Sequence, residues 1–298
     1  RWLSDWSSDV CSSDLSILAN GLIAIAPLGG WVPTNVPAHT VLIKNHMGQK
    51  IRGIVTSKPP HFMSEKEKNA PLEIESLLID VGVTNREDVT EIYGIQVGDP
   101  IAPDVAFHHN AQNDILFGKA FDNRLGCAAV IETLMQLDAI ENLDFDVVGA
   151  LASQEEVGTR GAYVTSQTIK PDYAIVFEGS PADDLYFDAH SAQCVLKKGA
   201  QIRHLDASYV SHSRFISFAK GIAEQKKINI QSAVRRKGST NAGRIHMQGK
   251  AVPVLVLGLP SRYIHTHYNY SALSDLKETV KLAVEVVKDF DPQKLLLK

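Results

Sequence analysis

Cysteine is scarce in this 298-residue chain: three in all, at positions 11, 127 and 194. They show no paired spacing, so no disulfide framework is indicated and a reducing compartment is favoured. A surplus of charge of one sign is also missing. Thirty Lys and Arg stand against 34 Asp and Glu, leaving −4, which argues against nucleic acid or an anionic membrane as the main partner. No apolar run approaches the ~18 residues needed to span a bilayer. There is no G-x-S-x-G elbow, no P-loop and no G-x-G-x-x-G, which disfavours serine hydrolases, NTPases and dinucleotide-dependent enzymes. What remains is an ordinary globular composition, 44% hydrophobic and 21% charged. That is enough for one large domain or two of ordinary size.

The opening RWLSDWSSDVCSSDLS is unlike anything after it. Asp5, Asp9 and Asp14 precede the apolar run at 17–27, where a secretory signal needs a basic region. A solvated Ser/Asp tail is one alternative. The stretch DWSSDVCSSDL resembles more closely the in-frame translation of a common sequencing-library adapter. Residues 1–15 are therefore expected to be non-native and without meaningful structure. The natural sequence is expected to begin near Ser16, truncated at that junction.

From about Ile17 to Ile115 the chain reads as short β-rich runs such as IAIAPLGGW, HTVLIKN, KIRGIVTSK and LLIDVGV, cut by turn residues. Closely spaced short strands suggest a small barrel or sandwich. NREDVTEIYG reads as a short helix with acids in its first turn. After Phe117 helices and strands alternate. Asn123–Leu137 has helical spacing, FDVVGALAS and DYAIVFE read as strands, and VPVLVLGLP is apolar on both faces. The expectation is a β-rich module over 16–115 followed by an α/β module over 116–298, with a mostly parallel sheet.

Four places could carry chemistry. In GKAFDNR, Asp122 leads into a helix, where an N-cap is the plain alternative to a ligand. In SQEEVGTRGA, Glu155 and Glu156 follow an apolar strand, where ligands of α/β sheets gather. Consecutive carboxylates can divide labour, one holding a metal and one a water proton. Glu178 ends another apolar strand and needs a cation or hydrogen bonds if buried. Asp183 and Asp184 behind it could cap the next element. In SRYIHTH, His265 and His267 lie one residue apart, which alone is weak evidence for a metal. Together an Asp, a Glu pair, another Glu and a His after strands of one sheet suit Zn²⁺, Co²⁺ or Mn²⁺, and a shared carboxylate suits two metals.

GKAFDNRLGCAAVIE, QEEVGTRGA, FEGSPADD, GSTNAGRIH and LPSRYIHTH, in that order, resemble the dinuclear-metal aminopeptidases that assemble as tetrahedral (TET) dodecamers, of glutamyl or deblocking type. APLGGW and VTSKPPH match that family's β-barrel insert. The resemblance implies a co-catalytic metallopeptidase α/β domain with an inserted small β-barrel. It implies a cytoplasmic aminopeptidase acting on peptides through a water activated by two metals, zinc or cobalt foremost and manganese as an option. It also implies a homo-oligomer, a dodecamer built from dimers. Carried over, Asp122 is the carboxylate bridging both metals and Glu155 the general base. Glu156 and His265 are then ligands of one metal, and Glu178 of the other.

Departures from the family pattern accompany this. Glu178 stands where Asp is common, Asn241 replaces an Asp, and His267 has no regular counterpart. The family's first ligand, in a His-x-Asp pair upstream of the barrel, has no match, and His39, His46, His61, His108 and His109 are poor substitutes. The chain as written is therefore expected to be weakly active, with an inactive fragment or assembly module as one alternative. Glycoside hydrolysis is another. It is disfavoured because the adjacent Glu155 and Glu156 diverge, whereas that chemistry needs carboxylates roughly 5–9.5 Å apart across the sugar bond.

Overall fold

In the first part of the chain, apolar residues at alternate positions line one side of short strands, as a half-buried sheet requires. A computed structural model describes residues 12–140 and 143–295. Residues 1–11, with Cys11 and most of the adapter-like stretch, lie outside the described residues. β1 (Ser12–Ile17), β2 (Ile23–Pro27), β3 (Thr40–Lys44), β4 (Lys50–Val55), β5 (Leu78–Asp80) and β6 (Pro100–Pro103) close into a barrel in the order β1-β2-β5-β4-β3-β6. Its interior is filled by Ile23, Ile25, Val41, Ile43, Val55, Ile79 and Ile101. Gly53 in β4 sits where a Cβ would lie 2.6 Å from Ile79 Cγ2, so the barrel wall closes only around a glycine.

β1 begins inside the adapter-like stretch. Its backbone pairs antiparallel with β2 from Ser12↔Pro27 to Ile17↔Ile23, and with β6 at Ser12↔Ile101. The expectation of no meaningful structure before Ser16 thus does not hold for residues 12–15. Ladder bonds join backbone groups, so an extended segment can complete the barrel whatever side chains it carries. On the barrel's connections, α1 (Glu65–Asn69) starts with a capping box between Ser64 and Glu67. α2 (Arg86–Glu91) is the expected acidic-start helix, with Asn85 Oδ1 accepting from the Asp88 amide at 2.8 Å.

The second sheet contains β7 (His108–Asn110), β8 (Ile115–Gly118), β9 (Ala174–Pro181), β10 (Ala200–Leu205), β11 (Ile230–Val234), β12 (Val254–Arg262) and β13 (Asn269–Ala272). Its order is β11-β10-β12-β13-β8-β7, and β9 takes the other edge of β12. The helices are α3 (Phe121–Asp138), α4 (Arg160–Ile169), α5 (Ser213–Lys226), α6 (Ala242–Ile245) and α7 (Leu273–Lys288). Every residue of β12 from Val254 to Ser261 is buried, as a central strand covered on both faces must be. Leu255, Leu257 and Leu259 face the main core under α3, α5 and α7, while Val254 and Val256 face a smaller cluster with Val176, Tyr209 and Ala242. Leu125, Ala129, Thr133 and Leu137, four apart, form the buried stripe of α3.

The sheet is mixed rather than mostly parallel. β9 and β12 run parallel in register from Ala174↔Val254 to Pro181↔Ser261, and so do β10 and β11. The pairs β10/β12, β12/β13, β13/β8 and β7/β8 are antiparallel. The links 111–114 and 263–268 are too short for a crossover and can only reverse the chain, whereas α5 supplies the crossover from β10 to β11. The hairpin β7–β8, read from sequence as the end of the β-rich module, is hydrogen-bonded to β13 through β8. By contacts the chain divides into one unit running to Ala106 and including His265–His267, and another of Phe107–Ile264 with the chain from Tyr268.

The run at 145–153, expected as a strand, is not one. Phe145, Val147 and Val148 are exposed, and no strand pairs with it among the described residues. A Cβ on Gly149 would meet Leu134 Cδ1 and Val130 Cγ1, so this stretch lies along α3 instead. Apolar content without a ladder partner does not make a strand. Among the described residues, no helix is long and apolar enough to cross a membrane.

Candidate active site

Asp122 lies in the first turn of α3, where it and Asn123 have non-helical φ/ψ of −89°/102° and −125°/39°. The capping role considered for Asp122 falls to its neighbour. Ala120, at the N-cap position, makes no side-chain cap bond, and Asn123 Oδ1 accepts from the Gly126 amide at 3.1 Å. Asn123 does more than cap. Its Nδ2 donates to the Phe177 carbonyl at 2.8 Å, and its Oδ1 also accepts from the Gly179 amide at 3.1 Å. Those two backbone groups flank Glu178 on β9.

Glu178 is inside β9 rather than after it, opposite Gly258 of β12, and only 5% exposed. Burial, then the charges of Asp122 and Glu155, push its carboxyl well above the usual range, against the pull of Arg203. One of its carboxyl oxygens is buried with no hydrogen-bond partner. Arg203, itself buried, donates to Ser180 Oγ at 2.7 Å, and Ser180 in turn donates to Gln201 at 2.8 Å.

Glu155 and Glu156 sit in a turn after the unpaired run. The Glu155 carbonyl accepts from the amides of Gly158 and Thr159 at 3.0 and 2.8 Å, and Arg244 braces the turn by donating to Thr159 Oγ1 at 3.2 Å. His265 lies on the link between β12 and β13. Buried Asn269 organises that link, donating to the Tyr263 carbonyl at 2.7 Å and accepting from the Phe121 amide at 3.1 Å. It thereby ties the residue before Asp122 to the loop that carries His265. Ala120, Gln154, Thr159, Tyr263 and His265 all have positive φ between 52° and 62°. Left-handed non-glycine residues cost about 1–3 kcal/mol each and gather where function demands a particular backbone.

One ligand atom each of Asp122, Glu156 and His265 lies within 4.8 Å of the others. Glu155 and Glu178 are outside that group, although the charges of Asp122, Glu155 and Glu156 all act on Glu178. His267 is not part of it. It is buried, stacked on His39 at 4.3 Å with Trp31 edge-on at 5.8 Å. His46 Nδ1 is bonded to the Gly94 carbonyl and His108 stacks on Phe117, so neither joins the group. Asp183 and Asp184 hold loop amides and the guanidinium groups of Arg235 and Arg262. Sequence reasoning missed Asn123, Asn269 and Arg203. Asn123 had a signal in its place beside Asp122, but nothing in the chain's order links Asn269 to Phe121.

Crowded carboxylates with a buried, unbonded oxygen call for a cation, and oxygen donors with one imidazole fit a divalent metal of the Zn²⁺, Co²⁺ or Mn²⁺ kind. The donor set is one that could hold a divalent metal ion. The M42 glutamyl aminopeptidase family profile matches residues 15–282. The chain belongs to that family and is an aminopeptidase, a peptide hydrolase. It is 28% identical to the glutamyl aminopeptidase of Lactococcus lactis subsp. cremoris (strain MG1363), over 94% of this chain and 78% of the relative. It is 27% identical to the lysyl aminopeptidase of Pyrococcus furiosus, over 92% of this chain and 77% of that one. Among solved structures, a TET aminopeptidase from the marine sediment Thaumarchaeota archaeon SCGC AB-539-E09 superposes with a TM-score of 0.91 at 32% identity, covering 96% of this chain and 80% of its own.

Proposed function

We propose that this aminopeptidase cleaves N-terminal residues from peptides with Glu155 as general base, at a centre where Asp122, Glu156, His265 and Glu178 hold two divalent ions. The convergence of Asp122, Glu156 and His265 within 4.8 Å carries the reading, with the unbonded buried oxygen of Glu178 beside it. Asp122 would be the carboxylate common to both ions, Glu156 and His265 would hold one, and Glu178 would hold the other. When bound, the ions supply Lewis acidity, lowering the pKa of a water and polarising the scissile carbonyl. Glu155 accepts the proton of the attacking water and returns it to the leaving amine. Burial and the neighbouring charges of Asp122 and Glu155 raise the Glu178 carboxyl, and a bound cation would offset both.

Zinc or cobalt is the metal of choice on this donor set, with manganese as a further option. The assembly is a homo-oligomer, a dodecamer built from dimers, and the compartment is the cytoplasm. The TET name of the archaeal neighbour supports the first, and the scarcity of cysteines, with no paired spacing in the sequence, the second. Aminoacyl p-nitroanilides test the mechanism. Hydrolysis that is abolished by a chelator, restored by Co²⁺ or Zn²⁺ and lost in Glu155→Gln supports it. Turnover that survives chelation, or survives Glu155→Gln, overturns it. The weak activity expected from the sequence is tested by metal content: close to two ions per chain would remove its basis.

A further inference from the structure

We infer that Asn123 is the positioning residue of this centre: it locks Asp122 against β9 beside Glu178, and so sets the spacing on which a shared carboxylate depends. The inference rests on the metal assignment above and goes beyond it, since no ligand role falls to Asn123.

Three hydrogen bonds define the lock. Asn123 Oδ1 receives the Gly126 amide inside α3 and the Gly179 amide on β9, while Nδ2 donates to the Phe177 carbonyl. On a strand, the carbonyl of one residue and the amide of the next but one point to the same edge. Asn123 therefore engages the edge of β9 as a neighbouring strand would, at the position centred on Glu178. The same side chain starts the helix that carries Asp122, so helix and strand are fastened at one point.

Space at that point is cut to fit. A Cβ on Gly179 would lie 2.7 Å from Asp122 Cα, 2.8 Å from its Cβ and 3.0 Å from its Cγ. A Cβ on Gly126 would lie 2.1 Å from Asn123 Oδ1. Glycines on both sides let the Asp122–Asn123 segment press against the strand, and any other residue at 179 would push Asp122 outward. Alanine at 123 would leave a half-buried strand carbonyl and amide without these bonds. It would also leave Asp122 to find its own distance from Glu178.

The test is cobalt(II) titration of the metal-free full chain, read by calorimetry and by visible absorption, with melting temperature measured alongside. Asn123→Ala is expected to weaken Co²⁺ binding about 10- to 100-fold and to change the absorption bands, as loss of a ligand-orienting partner does. Asn123→Asp keeps an oxygen for the Gly126 and Gly179 amides but loses the donor to the Phe177 carbonyl, and is expected to recover only part of the affinity. Gly179→Ala, which acts by displacing Asp122 rather than by removing a bond, is expected to reproduce the weakened binding and altered bands. Asn123→Ala with the wild-type isotherm and spectrum overturns the proposal, even if its melting temperature falls, because the residue would then only cap α3. A wild-type chain that takes up no cobalt overturns the metal assignment and the proposal with it.

Discussion

The barrel and the α/β unit handle charge in opposite ways. In the barrel, ion pairs such as Arg52–Asp104 at 2.5 Å, Lys58–Glu67 at 2.6 Å and Lys68–Glu65 at 2.5 Å each have at least one well-exposed partner. Buried polar side chains within residues 16–106 are few, chiefly Asn45 and Asp99. In the α/β unit, Glu178, Asp183, Arg203, Asp206, Asn269 and Asp275 are all buried. Burying a charge costs several kcal/mol unless partners compensate, so a fold carries such groups where something other than stability is served. The difference teaches where chemistry resides: the barrel is closed by apolar packing and backbone ladders, whereas the α/β unit adds to its apolar core buried polar groups that need partners.

The largest expected effect concerns catalysis. Glu155→Gln should lower kcat by about 10²–10⁴-fold, the usual contribution of a general base, with little change in melting temperature. Equal loss of both would break the claim that this turn serves chemistry rather than folding. Next come the two apolar cores, which should respond alike despite the contrast in polar content. Leu257→Ala in β12 and Ile43→Ala in the barrel should each cost about 2–5 kcal/mol in denaturant unfolding. A barrel variant costing much less would show that core to be loosely filled.

Asp275 sharpens the contrast through pH. It is buried at the start of α7, where it accepts from the amides of Lys197 and Gly199 at 2.7 and 2.8 Å. Burial nonetheless outweighs those bonds and raises its carboxyl to about 6 from 3.8. A pKa raised by folding means the contribution is fully present below the unfolded value and is lost as pH rises through the folded one. Wild-type stability from this group should thus decline between pH 4 and 7 by about 3 kcal/mol, at 1.36 kcal/mol per unit. Asp275→Asn should remove that slope, gaining on wild type as pH rises. Parallel pH profiles would show that the two amides hold the carboxylate ionised. The smallest effect is at the barrel surface, where Arg52→Ala should change stability by less than about 1 kcal/mol, and less still in high salt.

Much of the site was legible from residue types and their neighbours. Asp122, Glu156 and His265 each lie beside turn residues or apolar runs, and the structure brings the three together, although the run before Glu156 is not a strand. Helices α3, α5 and α7 were legible because the side-chain stripe of a helix repeats within the helix itself. The run at 145–153 was misread because a strand exists only by pairing, and its apolar residues do not reveal whether a partner is at hand. β10 and β13 were missed for the converse reason: AQIRHL and NYSA have little apolar alternation, and their neighbours make them strands. The spacing of His265 and His267 did not separate them, and it was the family resemblance that favoured His265. Two residues apart on one loop, one joins the carboxylates and the other is buried against His39 and Trp31.

By itself the sequence determined family, activity class and the residue types available for chemistry, since these follow from composition, local periodicity and ordered motifs. Tertiary structure alone decided the mixed sheet, the burial of Glu178 and the bracing of Asp122 by Asn123 and Asn269. Asn269 lies 148 positions from the Phe121 amide that it receives, and the bond depends on β13 pairing between β12 and β8. Contacts of that kind come from chain closure over long separations, which no local pattern encodes.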